Sequence, residues 1–435
     1  MLGAFSNIFK IPELKRRVLF SFAMLAVYRI GCMVPTPGID GAAISRWFAE
    51  RQGTIFGMFS MFSGGAMEHG SIFSLGIMPY ISASIILQLL TVVIPYLERL
   101  SKEGELGRRK ITQYTRYGTV VLSLFQGYMI AYAMENGMLG AGAVTNPGLA
   151  FRLMTMITMT SGTAFIMWLG EQISERGIGN GISLIIFGGI IARLPVAIVR
   201  LGQQAWEESR GVLKMVPIIV VMVAVMGFII YVERAQRKIP IQHAKRVVGR
   251  KIYGGASTFL PLRINTAGVI PPIFASSILM FPSTILQFFD NPWLVKLHEL
   301  LQPAALLYNL IYVGLIIFFC YFYTAVTFNP VDVADNLKKS GAYIPGRRPG
   351  KPTADYIDRI LTRITFGGSL YISAICVLPT ILIAQFNVPF YFGGTSLLIV
   401  VGVALDTIQQ IESHMLTRHY EGFLGGKGKF KGRRG

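Results

Sequence analysis

FSMFSGGAMEHGSIFSLGIMPYISASIILQLLTVVIPYL, running from Phe59 to Leu97, decides how the rest of the chain is read. Its second part, Ser71 to Leu97, is apolar for long enough to cross a bilayer, which takes about 20 residues at 1.5 Å rise each. Its first part is not. Phe59, Met61, Phe62, Ala66 and Met67 form a short apolar segment broken by Ser63, Gly64 and Gly65, and Glu68, His69 and Gly70 set it off from the span. Irregular backbone in hydrocarbon leaves its N–H and C=O groups unpaired unless protein or a water-filled cavity receives them. The segment is therefore either a half-helix inside the cavity of a channel or transporter, or an amphipathic turn on the outer surface.

The surrounding chain favours a membrane setting. Its 435 residues are 52% hydrophobic and only 14% charged, and its mean hydropathy is +0.53, which excludes an ordinary soluble domain. Three cysteines, Cys32, Cys320 and Cys376, each sit in an apolar stretch, and no disulfide or zinc framework follows from their spacing. Lys10, Lys15, Arg16 and Arg17 precede an apolar run as in a signal peptide, but the run is long and no small-residue cleavage site follows, so it reads as a retained first span.

Ten apolar runs of spanning length begin near Arg17, Ser71, Tyr114, Phe151, Gly181, Val212, Thr266, Ala304, Phe366 and Tyr391. Arg193 and Pro195 interrupt the fifth. Pro271 and Pro272 stand early in the seventh, where the freed carbonyls need neighbours to satisfy them. Spans two and seven are thus the broken ones, and each is the second of five in its half, 17–201 and 212–413. Interruptions at matching places mark inverted repeats, because five is odd and the second half must enter from the opposite side. The expected fold is an all-α polytopic protein of ten transmembrane helices.

Placing residues 1–16 in the cytoplasm assigns about 32 of the 41 Lys and Arg residues to inner segments, a strong positive-inside asymmetry. Both termini are then cytoplasmic, including the basic tail 414–435. The net charge of +19 resides largely in that tail and in two inner loops, 233–263 and 328–365. The first alternates apolar and basic residues, as a projecting hairpin does, with Gly249, Gly254 and Gly255 for turns; it carries Arg237, Lys238, Lys245, Arg246, Arg250 and Lys251. In the second, Pro345, Gly346, Pro349, Gly350 and Pro352 favour a fixed turn presenting Arg347 and Arg348. Anionic lipid, the phosphates of an RNA-rich machine, an acidic protein, or solvent alone would each suit these loops.

Catalysis is not indicated. GRRPGKPT, Gly346 to Thr353, has one residue too few between its glycines for a phosphate-binding loop, and Pro352 stands where Ser or Thr must hold magnesium. There is no HExxH and no GxSxG, and His69, His243, His298, His414 and His419 are scattered. Glu171 and Glu175 at a helix end read as interface residues, Asp406 lies near the inner end of span ten, and Arg29, late in span one, can snorkel outward. The spans hold no persuasive ion ligands at midplane, which argues against an ion-coupled transporter, and no nucleophile with a base, which argues against an intramembrane hydrolase.

Six stretches together resemble the SecY family, the channel-forming subunits of the bacterial protein translocon: MFSGGAMEHGSIFSLGIMPYISASIILQLL, EGELGRRKITQYTRYGT, WLGEQISERGIGNGISLIIF, NTAGVIPPIFASSILMFP, NLKKSGAYIPGRRPG and FGGTSLLIVVGVALDTIQQIE. The resemblance spans essentially the whole chain. It implies an inner-membrane protein with two inverted five-helix halves around an hourglass pore that opens across the membrane and sideways into lipid. Residues 59–68 (Phe59, Met61, Phe62, Ser63, Gly64, Gly65, Ala66 and Met67 among them) match the plug. Ile77, Ile81, Ile182, Ile186, Ile273 and Ile399 match the pore ring. A lateral gate is implied between spans two and three and spans seven and eight, where Ser82, Ser84, Gln88, Thr91 and Asn265 supply polar groups able to bond across it. The implied partners are SecE-like and SecG-like membrane subunits, the SecA motor ATPase, the ribosome, signal sequences and nascent polypeptides, with Arg237, Lys238, Lys245, Arg246, Arg250, Lys251, Arg347 and Arg348 as docking residues. No cofactor is implied.

Overall fold

The computed structural model describes residues 11–50, 60, 62–140, 142–196, 199, 202–203, 211–243, 246–248, 251–253, 257–286, 293, 296, 300–301, 305–386 and 394–424. The first half of the chain forms α1 (Pro12–Gly31), α2 (Gly41–Glu50), α3 (Met78–Val93), α4 (Pro95–Lys102), α5 (Glu105–Glu135), α6 (Leu149–Arg176) and α7 (Gly181–Ile191). The second half forms α8 (Gly211–Arg234), β1 (Gln236–His243), β2 (Arg246–Val248), β3 (Lys251–Tyr253), β4 (Ser257–Arg263), α9 (Ile270–Leu286), α10 (Leu306–Thr327), α11 (Pro330–Lys339), β5 (Ala342–Tyr343), α12 (Lys351–Phe386) and α13 (Gly394–Leu424). Helices occupy each of the ten apolar runs. Among the described residues four helices are long and apolar enough to cross a membrane, or five if α3 and α4 count as one bent span.

Span two departs from expectation in an informative way. Its helix begins at Met78 rather than Ser71, because residues 72–77 are turns and Gly76 takes a φ of 57°. Pro79 then starts α3 where a missing N–H costs nothing. At the other end Ile94 is extended and Pro95 opens α4, which is bent by 100° from α3. Leu97 and Leu100 of α4 are buried while Arg99 and Lys102 face outward, the pattern of a helix lying along an interface.

The same neighbour relations recur in both halves. In the first, α3 packs on α5, α5 on α6, α6 on α7, and α1 on α7. In the second, α9 packs on α10, α10 on α12, α12 on α13, and α8 on α13. These four pairings correspond span for span, while α1 packs more extensively on α6 than α8 does on α12. The halves meet where α3 touches α9 and where α7 touches α13.

The fold is not all-α. The loop 233–263 is a nested hairpin, with β1 antiparallel to β4 (Lys238 opposite Pro261) and β2 antiparallel to β3 (Val248 opposite Lys251). Ile239 and Ile241 are buried while Arg237, Lys238 and Pro240 are exposed, the alternation a one-sided sheet requires. The other long inner loop joins it: β5 pairs with β1, His243 opposite Ala342, and Ile239, Leu262, Ile344 and Ile357 share one small core. Two platforms expected from the sequence are one body.

Candidate functional site

The six isoleucines assigned to the pore ring all lie in or against the main apolar core. Ile77, Ile81, Ile186, Ile273 and Ile399 lie at 6% exposure or less in the main apolar core, and Ile182 packs against it partly buried. They come from four elements. Ile77 precedes α3 and Ile81 lies in it, Ile182 and Ile186 lie on α7, Ile273 on α9 and Ile399 on α13. The seams α3/α9 and α7/α13 bring these elements together. Asn180 fixes the start of α7 by accepting from the backbone N–H of Ile182 at 3.1 Å and of Ser183 at 3.4 Å.

The segment before α3 is built in the opposite way. Phe59 and Met61 lie outside the described residues; Ser60 and Phe62 are helical, and Ser63 to Gly70 are turns rather than the half-helix expected. Gly64 and Gly65 have φ of 66° and 87°, which ends any helix there. The turn is nonetheless interior: Ser60, Phe62, Ser63, Ala66 and Met67 are all at 1% exposure or less. A turn on the outer surface is ruled out. Protein receives the backbone, as a segment at this depth demands. Tyr28 Oη donates to the Ser63 carbonyl at 3.1 Å and Arg29 Nη1 to the Gly64 carbonyl at 2.8 Å. Arg29 therefore does not snorkel outward but holds this turn. The far end of the turn is tied back by Ile72 N to Val34 O at 3.0 Å and Thr36 N to Gly70 O at 2.9 Å.

The polar residues assigned to the gate bond locally. Gln88 Nε2 donates to Ser84 Oγ at 3.2 Å and Thr91 Oγ1 to the Gln88 carbonyl at 2.6 Å, both along α3. Ser82 lies on α3 half-buried. Asn265 Nδ2 reaches Glu233 Oε1 at 2.7 Å and the Gly268 carbonyl at 3.0 Å, so it braces α8 against the approach to α9. The halves are linked elsewhere, by Gly179 N donating to Gln410 Oε1 at 2.9 Å. Asp406 meets Arg263 at 3.6 Å. Glu171 takes both oxygens to Arg116 at 2.8 Å, joining α5 to α6.

On the platform, Arg237, Lys238, Arg347 and Arg348 are exposed. Arg347 is not free: its guanidinium stands 5.0 Å over the Tyr356 ring of α12. The Arg348 carbonyl accepts from Thr353 Oγ1 at 2.8 Å, which fixes the turn that carries its side chain. Arg246 and Lys251 lie on β2 and β3, while Lys245 and Arg250 fall outside the described residues. Sequence reading missed Tyr28, Glu68, Gly189 and Tyr356 as site residues. The available signal was charge: Arg29, Glu68 and Arg193 are isolated ionisable residues in or beside apolar runs, and such residues find one another.

Apolar membrane-length helices packed as two like halves, with an irregular segment buried among them, make the architecture of a channel-forming protein. The sequence model of the SecY family matches residues 71–408, and the chain belongs to that family. It is 53% identical over 418 residues to the protein translocase subunit SecY of Escherichia coli K12, covering 95% of this chain and 94% of that protein. To the SecY subunit of Aquifex aeolicus it is 45% identical over 420 residues, covering 96% and 98%. Two solved structures share the fold. One, described as a protein-conducting channel, matches with a TM-score of 0.66 at 17% identity over 94% of this chain and 96% of that one. The other, Sec61 in the canine ribosome-channel complex, matches with a TM-score of 0.62 at 15% identity over the same shares. A further relative in fold, at TM-score 0.65 and 18% identity over 94% of this chain and 96% of that one, is a SecY protein whose plug domain is described as stabilising the closed state and maintaining a membrane seal.

Proposed function

We propose that the chain is the central subunit of an inner-membrane protein-conducting channel, with ten spans in two inverted halves and both termini cytoplasmic. Unfolded secretory polypeptides pass the isoleucine waist, and transmembrane segments leave sideways between spans two and three and spans seven and eight. Residues 59–68 are the plug that closes the outer side at rest. The recurrence of one packing order in α1 to α7 and α8 to α13 supports the inverted halves. The contact of α3 with α9 supports a gate at that seam. Ser84, Gln88 and Thr91 pair within α3 itself, so apolar contacts are what a signal sequence must exchange for lipid at this seam. The observation that carries the reading is the irregular turn at Ser63 to Gly70, buried in the same apolar core as the isoleucines.

Small SecE-like and SecG-like subunits brace the assembly in lipid, and the merged basic platform receives the ribosome or the SecA motor. Arg237, Lys238, Lys245, Arg246, Arg250, Lys251, Arg347 and Arg348 supply its charge, with anionic lipid as a further attraction. The test of the path is a single cysteine at Ile182 in a chain whose native cysteines are replaced, probed with a secretory precursor stalled in transit. A crosslink lost on deleting the signal sequence is the expected result; none at Ile182 or Ile273 in a folded, partnered channel would overturn the path. Reversing charge at Arg347 and Arg348 together is expected to impair export while leaving membrane insertion intact, and normal export would remove the docking assignment.

A further inference from the structure

We infer that Glu68 and Arg193 are positioning residues that latch the plug to the end of α7, so that the helix carrying two of the six waist isoleucines also leads into the plug's anchor. The inference rests on the channel reading above. Three observations bear on it. First, Arg193 forms an ion pair with Glu68 Oε1, and the same oxygen accepts from Ser60 Oγ at 2.9 Å. One carboxylate thus closes the turn from Ser60 to Glu68 and hands it to a guanidinium on the neighbouring element. Second, the two backbones touch beside this pair. A Cβ built at Gly64 would stand 2.9 Å from the Gly189 Cα, and one built at Gly65 would stand 3.5 Å from Arg193 Nε. Third, Ile182, Ile186, Gly189 and Arg193 follow each other at intervals of four, three and four. On a helix that spacing is one face. The last of them lies just past the end of α7, in a turn whose Arg193 N donates to the Ile190 carbonyl at 3.2 Å.

The physical consequence is a coupling. A polypeptide or signal helix that spreads the waist moves Ile182 and Ile186, and with them the rod that ends in Gly189 and Arg193. Either the plug travels with α7 or the ion pair breaks, because a guanidinium held by one carboxylate oxygen has little slack. The latch is of a strength that can be broken. Its side chains are 17% and 27% exposed, and an emptied outer funnel would let water solvate both charges, so the net gain from pairing is small. Tyr28 and Arg29 hold the other side of the turn from α1, through the Ser63 and Gly64 carbonyls. These two bonds are to backbone and do not depend on α7 moving. The plug is thus hinged on α1 and latched on α7.

The test uses the full chain with its small membrane partners in planar bilayers, reading resting ion conductance. Glu68→Gln and Arg193→Gln are each expected to raise it roughly three- to tenfold, the scale of losing one partly shielded ion pair. Arg193→Lys should stay near the parent value, and the double exchange Glu68→Arg with Arg193→Glu should return it toward that value. A chain lacking residues 60–68 serves as reference. If that deletion leaks while both Gln variants stay tight, the latch is wrong and the plug stands; if the deletion does not leak, the plug assignment itself fails. Leaking Gln variants that the exchange does not rescue would also overturn the pairing. Should the exchange not fold, Glu68→Cys with Arg193→Cys, in a background without Cys32, Cys320 and Cys376, replaces it. Oxidation is then expected to block precursor transit and a reductant to restore it, and transit unaffected by oxidation would refute the latch.

Discussion

The isoleucines proposed above as the waist and the turn proposed as the plug are built on opposite principles. At the waist, Ile77, Ile81, Ile186, Ile273 and Ile399 are buried without a polar partner among them, so closure there rests on dispersion and on the exclusion of water. At the plug, Tyr28, Arg29, Ser60, Glu68 and Arg193 hold an irregular turn by directed bonds. A seal that must re-form around any passing sequence cannot use directed bonds, because those would bind some sequences and stall others. A closure that must return to one place needs them. The difference assigns the two regions different failures when altered.

The largest expected effect is at the waist. Replacing Ile81 or Ile182 by Gly removes a whole branched side chain from a constriction that closes by contact alone, and resting conductance should rise roughly tenfold or more. Unchanged conductance in both variants would break the comparison, since the isoleucines would then be ordinary core. Next is Gly64→Val. Its Cβ would meet Tyr28 Oη at 2.8 Å and Gly189 Cα at 2.9 Å, and Gly64 sits at a φ of 66°. Forcing a branched residue there costs about 1–3 kcal/mol, enough to unseat the turn in a measurable fraction of channels. Accessibility of a cysteine placed at Ala66 to a membrane-impermeant reagent measures it, and an equally protected cysteine in the valine variant would contradict the close approach.

Tyr28→Phe is a smaller change that sharpens the contrast. It removes the bond to the Ser63 carbonyl and nothing of the ring's packing against Phe73, whose centroid lies 6.1 Å away. The expected loss is about 1 kcal/mol of plug seating, seen as a severalfold rise in brief openings with no change in the conductance of the open state. The smallest effect is expected far from both regions. Arg347→Ala forfeits the stack on Tyr356 and loosens the platform turn by about 0.5–1 kcal/mol. Hydrogen exchange at Ile344 to Arg348 should quicken while resting conductance stays at the parent value.

Much of this was legible because membrane segments advertise themselves. The ten apolar runs, the positive-inside asymmetry and the hairpin of 233–263 follow from hydropathy, charge and alternation, each a local property. The break before span two was legible as a break. Its form was not, because Ser71 to Ile77 has the composition of a membrane helix, and what holds it as turns is Gly76 together with backbone bonds to a distant stretch, Ser71 pairing with Pro35 and Ile72 N donating to Val34 O. The merging of two basic loops into one body escaped notice for a plainer reason. β5 is two residues long and gains its partner from a strand about a hundred positions away.

What the sequence by itself determined is the class of the molecule: its hydropathy, the break at its second span, and the family its six blocks resemble. The break expected in the seventh span is not there, because Pro271 and Pro272 fall in the first turn of the continuous helix α9. The sequence marked the isoleucines only through that family resemblance, since an isoleucine in a membrane helix carries no local sign that separates a pore ring from ordinary core. Which groups hold the plug was decided by tertiary structure alone. Arg29, Glu68 and Arg193 are spread over about 160 residues, and each by itself reads as a charge that could reach water. Only the close passage of Gly64 against Gly189 puts the three charges within reach of one turn. Directed bonds depend on distances that no local pattern records, whereas burial depends on composition, which the chain carries on its face.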